Sequence, residues 1–200
     1  MKQQVVVIHG ADSFLQYEEY LDSLKEKALW NKIEDFDKKG WKGNLQQSLG
    51  DGYQVIAPKM PNGKNARYLE WKIWIDGFFD QIESNAIFIG HSMGAIFLAK
   101  YLTEKGGVYN AVLLVAAPFE DSVGESLCDF NFDTQDFVKD LQAKKVILYH
   151  STDDPVVPYS HSQMYLDLIQ NAKLVTLEER GHINQETFPE IVNDILLLQN

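Results

Sequence analysis

The stretch FIGHSMGAIF, Phe88 to Phe97, passes without a spacer from an apolar strand-like run into an apolar helix-like one, with Gly90-His91-Ser92-Met93-Gly94 at the joint. Gly90 and Gly94 stand two residues either side of Ser92, where a side chain would collide as strand and helix close on each other. A serine held in so tight a turn has its Oγ pushed out above the sheet, which is the mechanical sense of a G-x-S-x-G arrangement. A helix starting at Met93 also aims free N–H groups and the positive end of its dipole at that point. Negative charge developing on a bound carbonyl oxygen would be stabilised there.

Outward from this joint, short β-branched apolar runs alternate with longer stretches of helical period, the pattern of a parallel sheet with crossover helices. The expected strands are Val5 to Ile8, Tyr53 to Ala57, Ala86 to Ile89, Ala111 to Val115, Lys145 to Tyr149 and Lys173 to Leu177. Phe14, Tyr17, Leu21 and Leu24 predict a helix behind a Ser13 cap. Tyr68, Trp71, Ile75, Phe78 and Ile82 predict another behind Asn65, and Met93 to Lys105 a third, ending at Gly106 and Gly107. The last helix is announced by a Thr187–Glu190 capping box with Pro189 in its first turn.

One connection is out of proportion. About forty residues separate the first two expected strands, where an ordinary crossover needs far fewer. Residues 23–50 therefore form an elongated helical insertion, either a surface elaboration or a partial cover over a site through Trp30, Phe36 or Trp41.

Length and composition bound the rest. With 45% apolar content, 200 residues suit one domain spanning 1–200 that buries a sizeable core. A net charge of -11 disfavours nucleic acid as a partner. Cys128 is the single cysteine, which leaves no internal disulfide. The opening MKQQVVVIHG has too short an apolar run for a signal sequence or a membrane span, so a cytoplasmic protein with no membrane partner is expected.

A serine hydroxyl is a weak nucleophile at neutral pH and needs a base, and the base needs an orienting group. His9 and His91 belong to the turns after their strands, His150 ends the fifth strand, and His161 falls early in the next helix. His182 follows the sixth strand in a loop, ERGHIN, from which an imidazole can swing over the sheet edge, and it is the candidate base. For the acid, LYHSTDDPVVP places Asp153 and Asp154 just past the fifth strand, and Asp121 after the fourth is a rival that also reads as a helix cap. The oxyanion donors are the N–H of Met93 and one from the loop after the first strand, Ala11 in preference to Gly10. His9, Gly10, His91 and Phe119 are candidate substrate contacts, and Trp71 at helical spacing reads as core rather than as pocket lining. No ligand spacing on a helix supports a metal, and no cofactor is called for.

With these residues in place, the chain resembles an α/β-hydrolase fold serine hydrolase: His9-Gly10 after the first strand, the elbow at Ser92, then Asp154 and His182 in the order Ser, Asp, His. The run Asp154-Pro-Val-Val-Pro158 is similar to the turn that carries the acid in many such enzymes, and this favours Asp154 over Asp153, which is left as a turn residue bonding its own backbone. STDDPVVP with GHINQETFPEIVNDIL is similar to the small, capless branch that includes retinoblastoma-binding protein 9 and bacterial relatives. The resemblance implies hydrolysis through an acyl-enzyme, with the first two strands of the full hydrolase sheet missing and a strand order of 2-1-3-4-5-6. Two features depart from the branch: that missing pair and the long segment after the first strand. With no cap-sized insertion after Gly94, small soluble carboxylic esters are the expected substrates, and thioesters or peptide bonds are the variants. The competing class is a catalytically silent hydrolase-fold module that binds a protein partner.

Overall fold

The computed structural model describes residues 2–30, 32, 39–122, 126–134 and 136–198. Six strands, β1 (Gln3–Ile8), β2 (Tyr53–Ile56), β3 (Ile87–His91), β4 (Tyr109–Val115), β5 (Ala143–Ser151) and β6 (Ala172–Leu177), form one sheet in the order β2-β1-β3-β4-β5-β6, every neighbour parallel. The helices are α1 (Tyr17–Ala28), α2 (Trp41–Leu49), α3 (Tyr68–Asp76), α4 (Met93–Lys105), α5 (Ser160–Leu168) and α6 (Pro189–Leu197).

Because successive strand residues point to opposite faces, the sheet builds two cores. Val6, Ile8, Phe88, Val112, Leu114 and Leu148 pack with α3, α4 and α5 on one face. Val5, Val7, Ile87, Ile89, Leu113 and Tyr149 pack with α2 and α6 on the other. The result is three layers. Helix α4 is buried along most of its length, which is why its sequence is apolar all round. Its one buried cation, Lys100, donates to the carbonyls of Asp129 and Asn131 and lies over the Tyr68 ring.

Several local expectations are corrected. Ser13 does not cap a helix, because its Oγ donates to Ala66 O; α1 starts at Tyr17 behind Gln16, and no residue of it is buried. The helix that packs on the sheet between β1 and β2 is instead α2, through Trp41, Leu45 and Leu49. Helix α3 starts behind Arg67, and Asn65 Oδ1 accepts from Phe14 N–H and Arg67. It stops at Asp76, so Phe78 and Ile82 flank a 3-10 turn rather than extend the helix. Pro189 opens α6 as expected, but no capping box forms there: Glu190 pairs with Arg180 at 2.5 Å. Among the described residues no helix is long and apolar enough to cross a membrane.

Candidate active site

At the end of β3 the backbone of Ser92 adopts φ 54°, ψ -125°, a conformation L-residues avoid, and α4 begins at the next residue. A Cβ on Gly90 would lie 2.5 Å from Ala95 Cα, and one on Gly94 would lie 2.5 Å from His9 O. Both contacts are with backbone that cannot move aside, so strand, turn and helix close together only around glycine. The Ser92 N–H bonds Val115 O at 2.8 Å, tying the turn to the neighbouring strand.

Beneath the same cleft, Asp154 has no exposed side-chain surface. Its Oδ1 accepts the N–H groups of Val156 (2.8 Å) and Val157 (3.1 Å), and His182 Nδ1 lies 2.9 Å from Oδ2 and 3.1 Å from Oδ1. His150 Nε2 approaches Oδ2 at 3.4 Å from behind. Burial alone would push this carboxyl up, but hydrogen bonds from His150, His182 and Val156 N–H outweigh it and hold the group well below the usual carboxylate range. An ionised carboxylate only accepts, so the proton on His182 sits at Nδ1 and the Nε2 lone pair faces the cleft. Ser92 and His182 line this cleft of about 480 Å³ together, and the structure contains no hydrogen bond between them; such contacts are commonly loose before substrate enters.

The loop carrying His182 is held from three sides. Trp41 Nε1–H donates to Ile183 O (2.9 Å) and Trp41 N–H to Gln185 O (2.9 Å), so the start of α2 grips the loop. His91 Nε2–H donates to His182 O (2.9 Å), which leaves His91 Nδ1 to accept from Lys42 Nζ (3.2 Å). Burial, and after it the Lys42 charge, holds the His91 imidazole well below its ordinary pKa. Asp153 Oδ1 accepts from Ser151 Oγ, Arg180 N–H and Gly181 N–H. Asp153 lies in the turn and bonds its own backbone as expected, and beyond that it braces the loop next to the base.

On the opposite side, His9 Nε2 accepts Met60 N–H (3.0 Å), so its Nδ1 carries the proton and donates to Gly10 O (2.8 Å). The Gly10 carbonyl and the Ala11 N–H belong to one trans peptide and point in opposite directions. His9 thus sets the plane of the peptide that presents Ala11 N–H. That N–H has no hydrogen-bond partner among the described residues. Gly10 lies against the serine, since a Cβ there would be 3.0 Å from Ser92 Cβ.

Of the expected substrate contacts, His9, Gly10 and His91 border the cleft, but both ring nitrogens of His9 and of His91 are engaged within the chain. Phe119 is corrected: it is buried against Phe132 and Tyr165, away from the cleft lining. Trp71 is core, fully buried, its Nε1–H on Pro61 O. Asp121 organises its own loop by accepting Leu127 N–H and Asn131 Nδ2. In the insertion, Trp30 is 77% exposed, Trp41 is a buried support, and Phe36 lies outside the described residues. The supporting residues Trp41, Lys42 and His150 carry no sequence signal of their own.

A parallel sheet in this order, with a serine on a strained strand-to-helix turn and a carboxylate-bound histidine beside it, defines an α/β-hydrolase fold. Residues 33–191 match the family described as serine hydrolase, and the chain belongs to that family. No curated protein matches the chain. Among solved structures, the ydeN gene product from B. subtilis is similar at TM-score 0.72 and 19% identity, covering 99% of both chains. A meta-cleavage product hydrolase from Pseudomonas fluorescens IP01 (CumD) is similar at 0.69 and 16%, covering 99% of this chain and 90% of that one. The esterase domain of a Rhodothermus marinus protein is similar at 0.62 and 16%, covering 97% and 84%. At these identities the likeness is one of fold.

Proposed function

We propose that the protein hydrolyses small soluble carboxylic esters through an acyl-enzyme on Ser92. The Oγ attacks the acyl carbonyl, forming the O–C bond as its proton passes to His182 Nε2. Collapse of the tetrahedral intermediate breaks the bond to the alcohol, which takes that proton as it leaves. Water then attacks the acyl-enzyme with His182 again as base, releasing the acid and restoring Ser92. Asp154 holds the imidazole in the Nδ1–H tautomer and stabilises the imidazolium. The N–H groups of Met93 and Ala11 receive the oxyanion, each such donor contributing about 3 kcal/mol to transition-state stabilisation.

The observation that carries this reading is the Ser92 torsion, kept by two glycines whose backbone contacts admit no Cβ, on a serine that lines the same cleft as His182, which is bonded in turn to buried Asp154. A module that bound partners by its outer surface would have no physical use for that strain. The shared fold with an esterase domain agrees with ester substrates, and the open cleft with small ones. The test is labelling with a fluorophosphonate and turnover of a short-chain nitrophenyl ester. Ser92→Ala should lose labelling and lower kcat by up to about a million-fold. Equal labelling and turnover in that variant would refute the assignment.

A further inference from the structure

The chain carries a net charge of -11, yet the charged groups of the cleft beside Ser92 run the other way: Lys27, Lys42 and Lys64 against the single carboxylate of Asp12. Lys27 is answered by Asp12 at 2.7 Å. Among the described residues, Lys42 and Lys64 form no ion pair.

These two lysines come from opposite walls. Lys42, on α2, packs its ammonium 4.9 Å from the Trp41 ring centre and spends one proton on His91 Nδ1, on the side where His182 stands. Lys64 follows Gly63, whose carbonyl accepts Asp12 N–H at 3.1 Å and where an added Cβ would meet His9 Cε1 at 3.4 Å, on the side of the Ala11 N–H. An ammonium removed from water with no countercharge among the described residues is costly, and burial lowers Lys42 to about 8. Its bond to His91 satisfies one donor and supplies no negative charge. A fold stabilised only by hydrogen bonding to His91 could use a neutral donor there. A cation is needed where an anion arrives. At the rim of this open cleft, two positive groups focus a field that the acidic remainder of the surface does not offer.

We propose that the substrate is an ester bearing a carboxylate, seated between Lys42 and Lys64 while its acyl carbonyl faces Ser92. This inference rests on the acyl-transfer reading above and names the substrate class for the same site.

The test compares charged and neutral esters of matched size. On the acyl side, 4-nitrophenyl hemisuccinate is paired with 4-nitrophenyl butyrate; on the leaving-group side, 4-acetoxybenzoate is paired with phenyl acetate. The native protein should prefer the anionic member of at least one pair by about tenfold in kcat/KM, the scale of one charge-assisted contact. The favoured pair shows which side of the scissile bond carries the charge. The anionic-to-neutral ratio should fall about tenfold in Lys42→Met and in Lys64→Met, be retained in Lys42→Arg and Lys64→Arg, and shrink as salt is raised. Because the ratio is taken within one variant, general damage to folding or to His91 cancels. Neutral esters favoured in both pairs, or a ratio unchanged in both methionine variants, overturns the proposal. If the native protein turns over none of the four esters and fails to label, the acyl-transfer reading is the one that fails. Calorimetric binding of succinate to Ser92→Ala then decides the charge question alone: uptake that Lys42→Met and Lys64→Met abolish sustains it, and no uptake overturns it.

Discussion

Replacing Ser92 by glycine and, separately, by alanine isolates the strain in the turn from its chemistry. Both variants lack Oγ, so both should be inactive. Alanine keeps the Cβ and must still hold φ 54°, ψ -125°, whereas glycine adopts that conformation freely. A non-glycine residue in such a region costs about 1–3 kcal/mol. Glycine gives back about 0.5–1 kcal/mol by loosening the unfolded chain. The balance is roughly 1 kcal/mol in favour of Ser92→Gly over Ser92→Ala. For a chain of this size each kcal/mol moves the melting temperature by about 2–4 °C. Calorimetric melts should therefore place Ser92→Gly about 3 °C above Ser92→Ala. A glycine variant that melts at or below the alanine variant would mean that the torsion costs nothing, and the account of the turn as stored strain would fall.

Substitutions at three further residues test the supports around the site. Trp41→Phe removes the N–H that holds Ile183 O and should cost about 1–2 kcal/mol in urea unfolding while lowering kcat more than it raises KM, because the His182 loop loosens. Asp154→Asn should lower kcat by about ten-thousand-fold by favouring the wrong imidazole tautomer. Because the native Asp154 pKa lies below its unfolded value, its stabilisation is complete above about pH 4 and is lost as pH falls below that, so the asparagine variant should show a flatter acid limb in stability against pH. Lys42 acts in the same direction at the other end of the pH scale: with a native value of about 8 against 10.5 unfolded, the unfolded chain binds more protons between those values. Stability should rise with pH across that window by up to about 3 kcal/mol, and Lys42→Met should remove the rise.

Much of the architecture was written in short-range pattern. Runs of β-branched residues broken by helical period mark a parallel sheet, because a strand buried on both faces must be apolar throughout, and all six strands form at the expected positions. Ser92 was legible for the same reason: the constraint that puts glycine at 90 and 94 acts within five residues. The pairing of Asp154 with His182 came from chain order and resemblance. The branch resemblance rests on those motifs and nothing more.

The misread residues are those whose partners lie far along the chain. Ser13, Asn65 and Glu190 were read as helix caps from near neighbours; Ser13 is claimed by Ala66 and Asn65 by Phe14, both more than 50 positions away, and Glu190 by Arg180 across the loop before its helix. Asp153 is the turn residue its neighbours announce, but the fold also brings Arg180 and Gly181 to it, which they do not. Trp41 proved to be a buttress beneath the His182 loop 142 positions away, and Lys42 reached His91 across 49. Amino-acid order specifies torsions and periodicities because steric clashes act between adjacent atoms. The partner of a buried donor or charge depends on which elements the folded sheet and its helices bring within 3 Å, and no local pattern encodes that distance.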